Sequence, residues 1–115
     1  MKKAIQIQDD NNLELMLKYA SESGYKYISM GFGNSKTFHK DDWKQSVKRI
    51  KGLLDRYGLT CIQTHLPCYD LFVSCQKFDE QLETAIKRCI QGSAELGAKW
   101  CVCHPRSAVD FGYDR

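Results

Sequence analysis

Apolar residues recur at helical spacing three times along this chain: at Leu13, Leu17 and Ala20; at Trp43, Val47, Ile50, Leu54 and Tyr57; and at Leu82, Ile86, Cys89 and Ile90. Side chains three and four positions apart share one face of a helix, so each run predicts an amphipathic helix with one buried stripe. Each run stops at a glycine, Gly24, Gly58 or Gly97, the residue that takes the left-handed conformation just past a helix without Cβ strain. Polar residues gather near the opposite ends, at positions 9–12, at Asp41 and Asp42, and at Asp79. There carboxylates and amides can cap unpaired N–H groups. Segments of β type precede the first helix, at Ala4–Gln8, and follow each glycine, at 25–30, 59–64 and 98–103.

The order is therefore β-α-β-α-β-α-β. Strands alternating with helices imply a parallel sheet with right-handed crossovers. The stop glycines lie 34 and 39 residues apart, near the roughly 31 residues per βα unit of a 250-residue (β/α)8 barrel. Four strands and three helices make the 115 residues one α/β domain, 1–115, equivalent to about four βα units, the first half of such a barrel. The last stretch, "SAVDFGYDR", ends without a helix stop, so the expectation is a chain truncated at its C-terminus. The first and last strands of a half-barrel have open edges, which predicts self-association.

The glycines also act as a ruler. His65 lies seven residues after Gly58 and His104 seven after Gly97, and at the same offset from Gly24 stands Gly31, opening Gly31-Phe32-Gly33. All three fall at the carboxyl ends of successive strands, where parallel α/β folds collect their ligands. Proline follows both histidines, in His65-Leu66-Pro67 and His104-Pro105. It lacks the N–H that a ladder requires, and so helps end the strand. A histidine at a strand end can also merely bond a neighbouring loop, but two at matched register favour function. His39 reads as an exposed bystander in a polar loop. Alternation along the strands sends Gln6 and Gln8 into the barrel and puts Trp100 and Val102 on the side of His104. Cys101 and Cys103 then face the helix layer as buried, inert thiols.

Composition narrows the function. The net charge of +3 comes from 17 basic and 14 acidic residues that form no stripe, so charge gives no reason to expect nucleic acid. No apolar stretch approaches the roughly 20 residues of a spanning helix and no signal-type region follows Lys2 and Lys3, so the protein is expected in the cytoplasm, away from membranes. The six cysteines then read as reduced thiols. Cys101, Cys103 and His104 raise a zinc site, but the spacing lacks paired knuckles and puts Cys101 and His104 on opposite faces of one strand.

Three stretches, "SESGYKYISMGFG", "YGLTCIQTHLP" and "AELGAKWCVCHP", resemble the second, third and fourth strand segments of the xylose-isomerase-like TIM barrels, which include sugar phosphate isomerases and epimerases and endonuclease-IV-type enzymes. The resemblance implies a metal-dependent sugar or sugar-phosphate isomerase or epimerase using manganese, magnesium, cobalt or zinc. A hard cation there stabilises charge developing on substrate oxygens. The main metal-binding carboxylates of the family come from the fifth to eighth strands, so this stretch alone is expected to be inactive. Carried over residue by residue, the resemblance makes His65 and His104 substrate contacts in the isomerase branch and metal ligands in the endonuclease branch. Gly31 joins them at the rim, and Arg106 is placed to meet a phosphate. Ser29 stands where many relatives carry a glutamate. Two other readings remain open: a non-catalytic, flavodoxin-like binding or assembly module with structural histidines, and hydrolysis of damaged DNA. The second wants a positive groove that this even charge distribution does not supply.

Overall fold

The computed structural model describes residues 2–67 and 80–103, together with the backbone of 76–79. In chain order the elements are β1 (Ala4–Gln8), α1 (Leu13–Glu22), β2 (Tyr27–Gly31), a 3-10 turn (Thr37–His39), α2 (Trp43–Arg56), β3 (Thr60–His65), α3 (Gln76–Glu95) and β4 (Trp100–Val102). The strands form one parallel sheet in the order β1-β2-β3-β4. A flavodoxin-like sheet would carry its first strand between the second and third, so the sequential order excludes the flavodoxin-like topology. The wall of a partial TIM barrel is what remains.

Each helix ends in the same way. Gly24, Gly58 and Gly97 take φ of +86°, +65° and +87°, and the residue after each donates its N–H five residues back: Tyr25 to Ala20, Leu59 to Leu54, Ala98 to Ser93. This Schellman geometry turns the chain from helix into strand with the same hydrogen-bond pattern in all three units.

One face of the sheet is apolar and carries all three helices. Ile7, Ile28, Met30 and Cys61 form a single core with Leu13, Leu17 and Ala20 of α1, Val47, Ile50 and Leu54 of α2, and Ala85 and Cys89 of α3. Above the strand ends, Phe38 is fully buried, edge-on to Phe32 with ring centroids 4.9 Å apart and 5.9 Å from Trp43. The register between β2 and β3 shifts, Ile28 pairing with Cys61 but Ser29 with Gln63. Ile62 is the extra residue of a bulge. Cys61 and Thr64 consequently both face the helices, while Gln63 and His65 face the other way.

Several expectations need correction. β2 and β3 begin later than predicted and run on to include Gly31 and His65 themselves, while β4 shrinks to three residues. Cys101 does face the helix layer, where Thr64 Oγ1 lies 3.3 Å from its Sγ, but both Cys101 and Cys103 are exposed, not buried. The reason is position: β4 is an edge strand, with no further element covering it among the described residues. Ile90 is 49% exposed and Ala85 takes its expected place in the stripe, because α3 leans its Ala85 and Gly92 flank toward Phe38 and Val47. Neither Asn12 nor Asp42 caps its helix through a side chain. Asp10 instead accepts the N–H of Asn12 through Oδ1 at 2.8 Å. Asp79 lies inside the first turn of α3, not ahead of it.

Candidate functional site

The face of the sheet away from the helices is polar. Gln8, Gly31, His65 and Val102 are register partners across its upper edge, and Gln6, Ser29, Gln63 and Trp100 form the row beneath. Parallel pairing with all-L residues dictates this: once Ile7, Met30 and Thr64 turn toward the helices, their neighbours must turn away. The ladder continues past the strands, Asp9 N donating to Gly31 O (2.8 Å), Phe32 N to His65 O (2.9 Å) and Leu66 N to Val102 O (2.9 Å). The rim is therefore held at one height, as the glycine ruler requires, and Gly31 and His65 stand side by side on it. His104 and Arg106 lie outside the described residues. His39 is exposed, as expected.

Gly31 serves the rim by having no side chain. A Cβ there would lie 2.6 Å from Gln8 Cδ and Nε2 and would collide with Oε1, so the Gln8 carboxamide lies across the Gly31 backbone. Below it Gln63 holds the centre of the face. Its Nε2 donates to Ser29 Oγ at 3.3 Å and lies 3.2 Å from His65 Nε2. With the amide nitrogen as donor, His65 Nε2 is the acceptor, and the ring proton sits on Nδ1. The half-buried imidazole is thus oriented by its own strand. Ser29 is buried on this face and occupied by Gln63. Sequence reasoning missed Gln63, although counting back two residues from His65 on one strand face points to it. Nothing in the pattern signalled that Gln8 would cross Gly31.

The chemistry offered is neutral. Three carboxamides, a hydroxyl and an imidazole give donors and acceptors suited to a polyhydroxylated ligand. Among the described residues no group of three or more His, Cys, Asp or Glu is placed to hold a metal ion, so these residues do not by themselves fit the divalent cation that the resemblance implies. The buried thiols lie elsewhere: Cys61 and Cys89 belong to the core on the helix side of the sheet, where burial raises the pKa of Cys61 and pushes that of Cys89 up to about 12.

On the helix side of the rim Asp9 performs a separate task. Its Oδ2 accepts hydrogen bonds from the hydroxyls of Ser35 and Thr37, the latter at 2.6 Å, while Thr37 N donates to Ser35 Oγ at 3.1 Å. The connection between β2 and α2 is tied to the end of β1. This arrangement was not anticipated, because an aspartate next to a helix start reads as a cap.

Among the described residues no helix is long and apolar enough to cross a membrane. A solved xylose isomerase domain protein from Alicyclobacillus acidocaldarius subsp. acidocaldarius superposes with a TM-score of 0.64 at 19% identity, over 88% of this chain and 35% of that one. An uncharacterized protein of Mycobacterium leprae (strain TN) is 28% identical over 93 residues, 80% of this chain and 30% of its own. The chain thus spans about a third of the length of the relatives it matches. Residues 17–115 match the xylose isomerase-like TIM barrel family, covering three of the four strands and every site residue described above except Gln6, Gln8 and Asp9 of the first strand and its end. With the sequential parallel sheet and the matched strand ends, this settles kinship: the chain belongs to the xylose isomerase-like TIM barrel family.

Proposed function

We propose that this chain supplies the first four βα units of a sugar or sugar-phosphate isomerase or epimerase, and that its polar rim binds substrate hydroxyls. One observation carries the reading: the oriented row of Gln8 across Gly31 to His65, backed by Gln63, on the side of the sheet that a barrel would enclose. In this reading His65 contacts substrate and is not a metal ligand. The carboxylates for a manganese, magnesium, cobalt or zinc ion come from units other than these four, and these four alone turn nothing over. His104 and Arg106 extend the same rim, with Arg106 meeting a substrate phosphate. The compartment is the cytoplasm, and nucleic acid is not a ligand.

The test is an NMR titration of the His65 ring and the side-chain amides with xylose and with xylose 5-phosphate. The expected result is a shift confined to Gln8, Ser29, Gln63 and His65 that disappears in His65→Ala. Shifts that ignore this row, or persist in the variant, would overturn the reading.

A specific observation also favours assembly. On α1, Met16 and Tyr19 are 41% and 51% exposed on the flank turned away from α2, beside the open edge of β1. Ile90 and Trp100, the latter 71% exposed, stand beside the open edge of β4. Apolar flanks at both sheet edges suit pairing with a second copy. Light scattering after size exclusion would show a dimer, and a stable monomer at high concentration would remove this reading.

A further inference from the structure

We propose that a second site lies outside the rim: the cleft between the β1–α1 turn and the β2–α2 connection binds the phosphate group of a small phosphorylated metabolite. The open cleft has a volume of about 450 Å³ and is walled by Lys36, Lys40 and Arg49 on one side and by Asp9, Asp10 and Asn11 on the other. That volume exceeds what phosphate alone needs and falls in the range of small-molecule sites.

What the cleft gathers is three cations on one wall. Among the described residues, none of the three lies within ion-pair distance of a carboxylate, which leaves all three available to an anion. Lys36 and Lys40 precede the start of α2, the end of a helix that repels positive charge. Helix electrostatics therefore cannot account for their presence, and a bound anion would.

The loop that carries Lys36 is also held in place. Asp9 accepts both the Ser35 and Thr37 hydroxyls, so the residues flanking Lys36 are anchored to the end of β1. These same bonds absorb one oxygen of the Asp9 carboxylate and keep it directed at its hydroxyl partners. Asp10 spends Oδ1 on the N–H of Asn12. Two acids in the wall disfavour a large polyanion such as RNA, but an acidic wall opposite a cationic one suits an ester that carries hydroxyls at one end and phosphate at the other. The imidazole of His65 belongs to the other face of the sheet and takes no part.

Ribose 5-phosphate, inorganic phosphate and ribose, each titrated into the full chain by calorimetry, test this directly. The expected order is binding of ribose 5-phosphate at about 1 mM or tighter, weaker binding of inorganic phosphate and none of ribose. Lys36→Gln, Lys40→Gln and Arg49→Gln should each weaken ribose 5-phosphate by about tenfold, as loss of a charge-assisted bond does. His65→Ala should leave it unchanged, which keeps this site distinct from the rim. A triple change of Lys2, Lys3 and Lys26 to glutamine, at the amino-terminal end of the sheet, should also leave it unchanged. Absence of binding, equal binding of inorganic phosphate and the ester, or an equal loss in that distant triple variant would each overturn the proposal.

Discussion

Two glycines in helix interiors offer a measurement of the packing that sets the whole frame. Gly52 lies in α2 and a Cβ built on it would meet nothing within 4 Å, whereas a Cβ on Gly92 in α3 would lie 2.8 Å from Phe38 Cε1 and 3.0 Å from Val47 Cγ2. Alanine at either position gains the same helix propensity, about 1 kcal/mol. At Gly52 nothing opposes that gain, so Gly52→Ala should stabilise by about 1 kcal/mol. At Gly92 the neighbour is a rigid ring, fully buried and held by Phe32 and Trp43, so overpacking should cost about 1–3 kcal/mol. The propensity cancels between the two variants, and their difference isolates the clash: Gly92→Ala should be less stable than Gly52→Ala by about 1–3 kcal/mol. Urea unfolding followed by circular dichroism, with equal slopes for both variants, reads this difference from the midpoints. Equal stabilisation by both would refute the close approach of α3 to the 3-10 turn, and with it the support beneath the rim.

Gly31→Ala should behave in the opposite way: the colliding group is the flexible tip of Gln8, so stability should change by less than about 1 kcal/mol, while the Gln8 amide signals move away from the His65 ring in NMR spectra. Thr64→Val removes the buried 2.7 Å bond to Ser93, but Ser93 keeps its 2.6 Å bond to Cys89 O; the expected loss is about 0.5–1.5 kcal/mol in urea unfolding, and a loss near 3 kcal/mol would mean that Ser93 is left unsatisfied. Stability should also fall in alkali. Burial raises the pKa of Cys89 from 9.0 to about 12 and that of Cys61 in the same direction. Above pH 9 the unfolded chain sheds protons that the folded chain retains, so folding loses free energy progressively until the folded-state value is reached. Midpoints measured from pH 8 upward should therefore decline, and a shallower decline in a Cys89→Ala variant would assign that share of the effect to Cys89. Iodoacetamide at pH 8 should label the exposed Cys101 and Cys103 well before Cys61 and Cys89.

The fold was legible because its grammar is local. Helical spacing at Leu13, Leu17 and Ala20, a glycine that can go left-handed, and a strand after it are all decided within about 20 residues, and the three stop glycines took positive φ as anticipated. The same stride carried Gly31 and His65 to one rim across two units. Legibility failed where an outcome depended on what lies beside an element in space. Cys101 faces the layer that alternation assigns to it, yet is exposed because β4 is an edge. Ile90 fits the apolar stripe of α3 by spacing, yet the tilt imposed by Phe38 and Val47 moves Ala85 into its place.

The rim shows the same division at higher resolution. That Gly31 should stand beside His65 follows from register, but what its bare backbone does follows from Gln8, 23 residues earlier on the neighbouring strand. A carboxamide lying across a bare backbone is a constraint between two residues, and neither alone carries a trace of it. Gln63 repeats the lesson: as a strand residue it is unremarked, and only when its nitrogen stands between Ser29 and His65 does it fix which imidazole nitrogen holds the proton. Substituting Gln63→Glu would replace that donor by acceptors and force the His65 proton to Nε2. The ring's 15N chemical shifts should then exchange character between the two nitrogens. If they did not, the orientation of His65 would owe nothing to its own strand, and the rim would be a row of side chains instead of a built site.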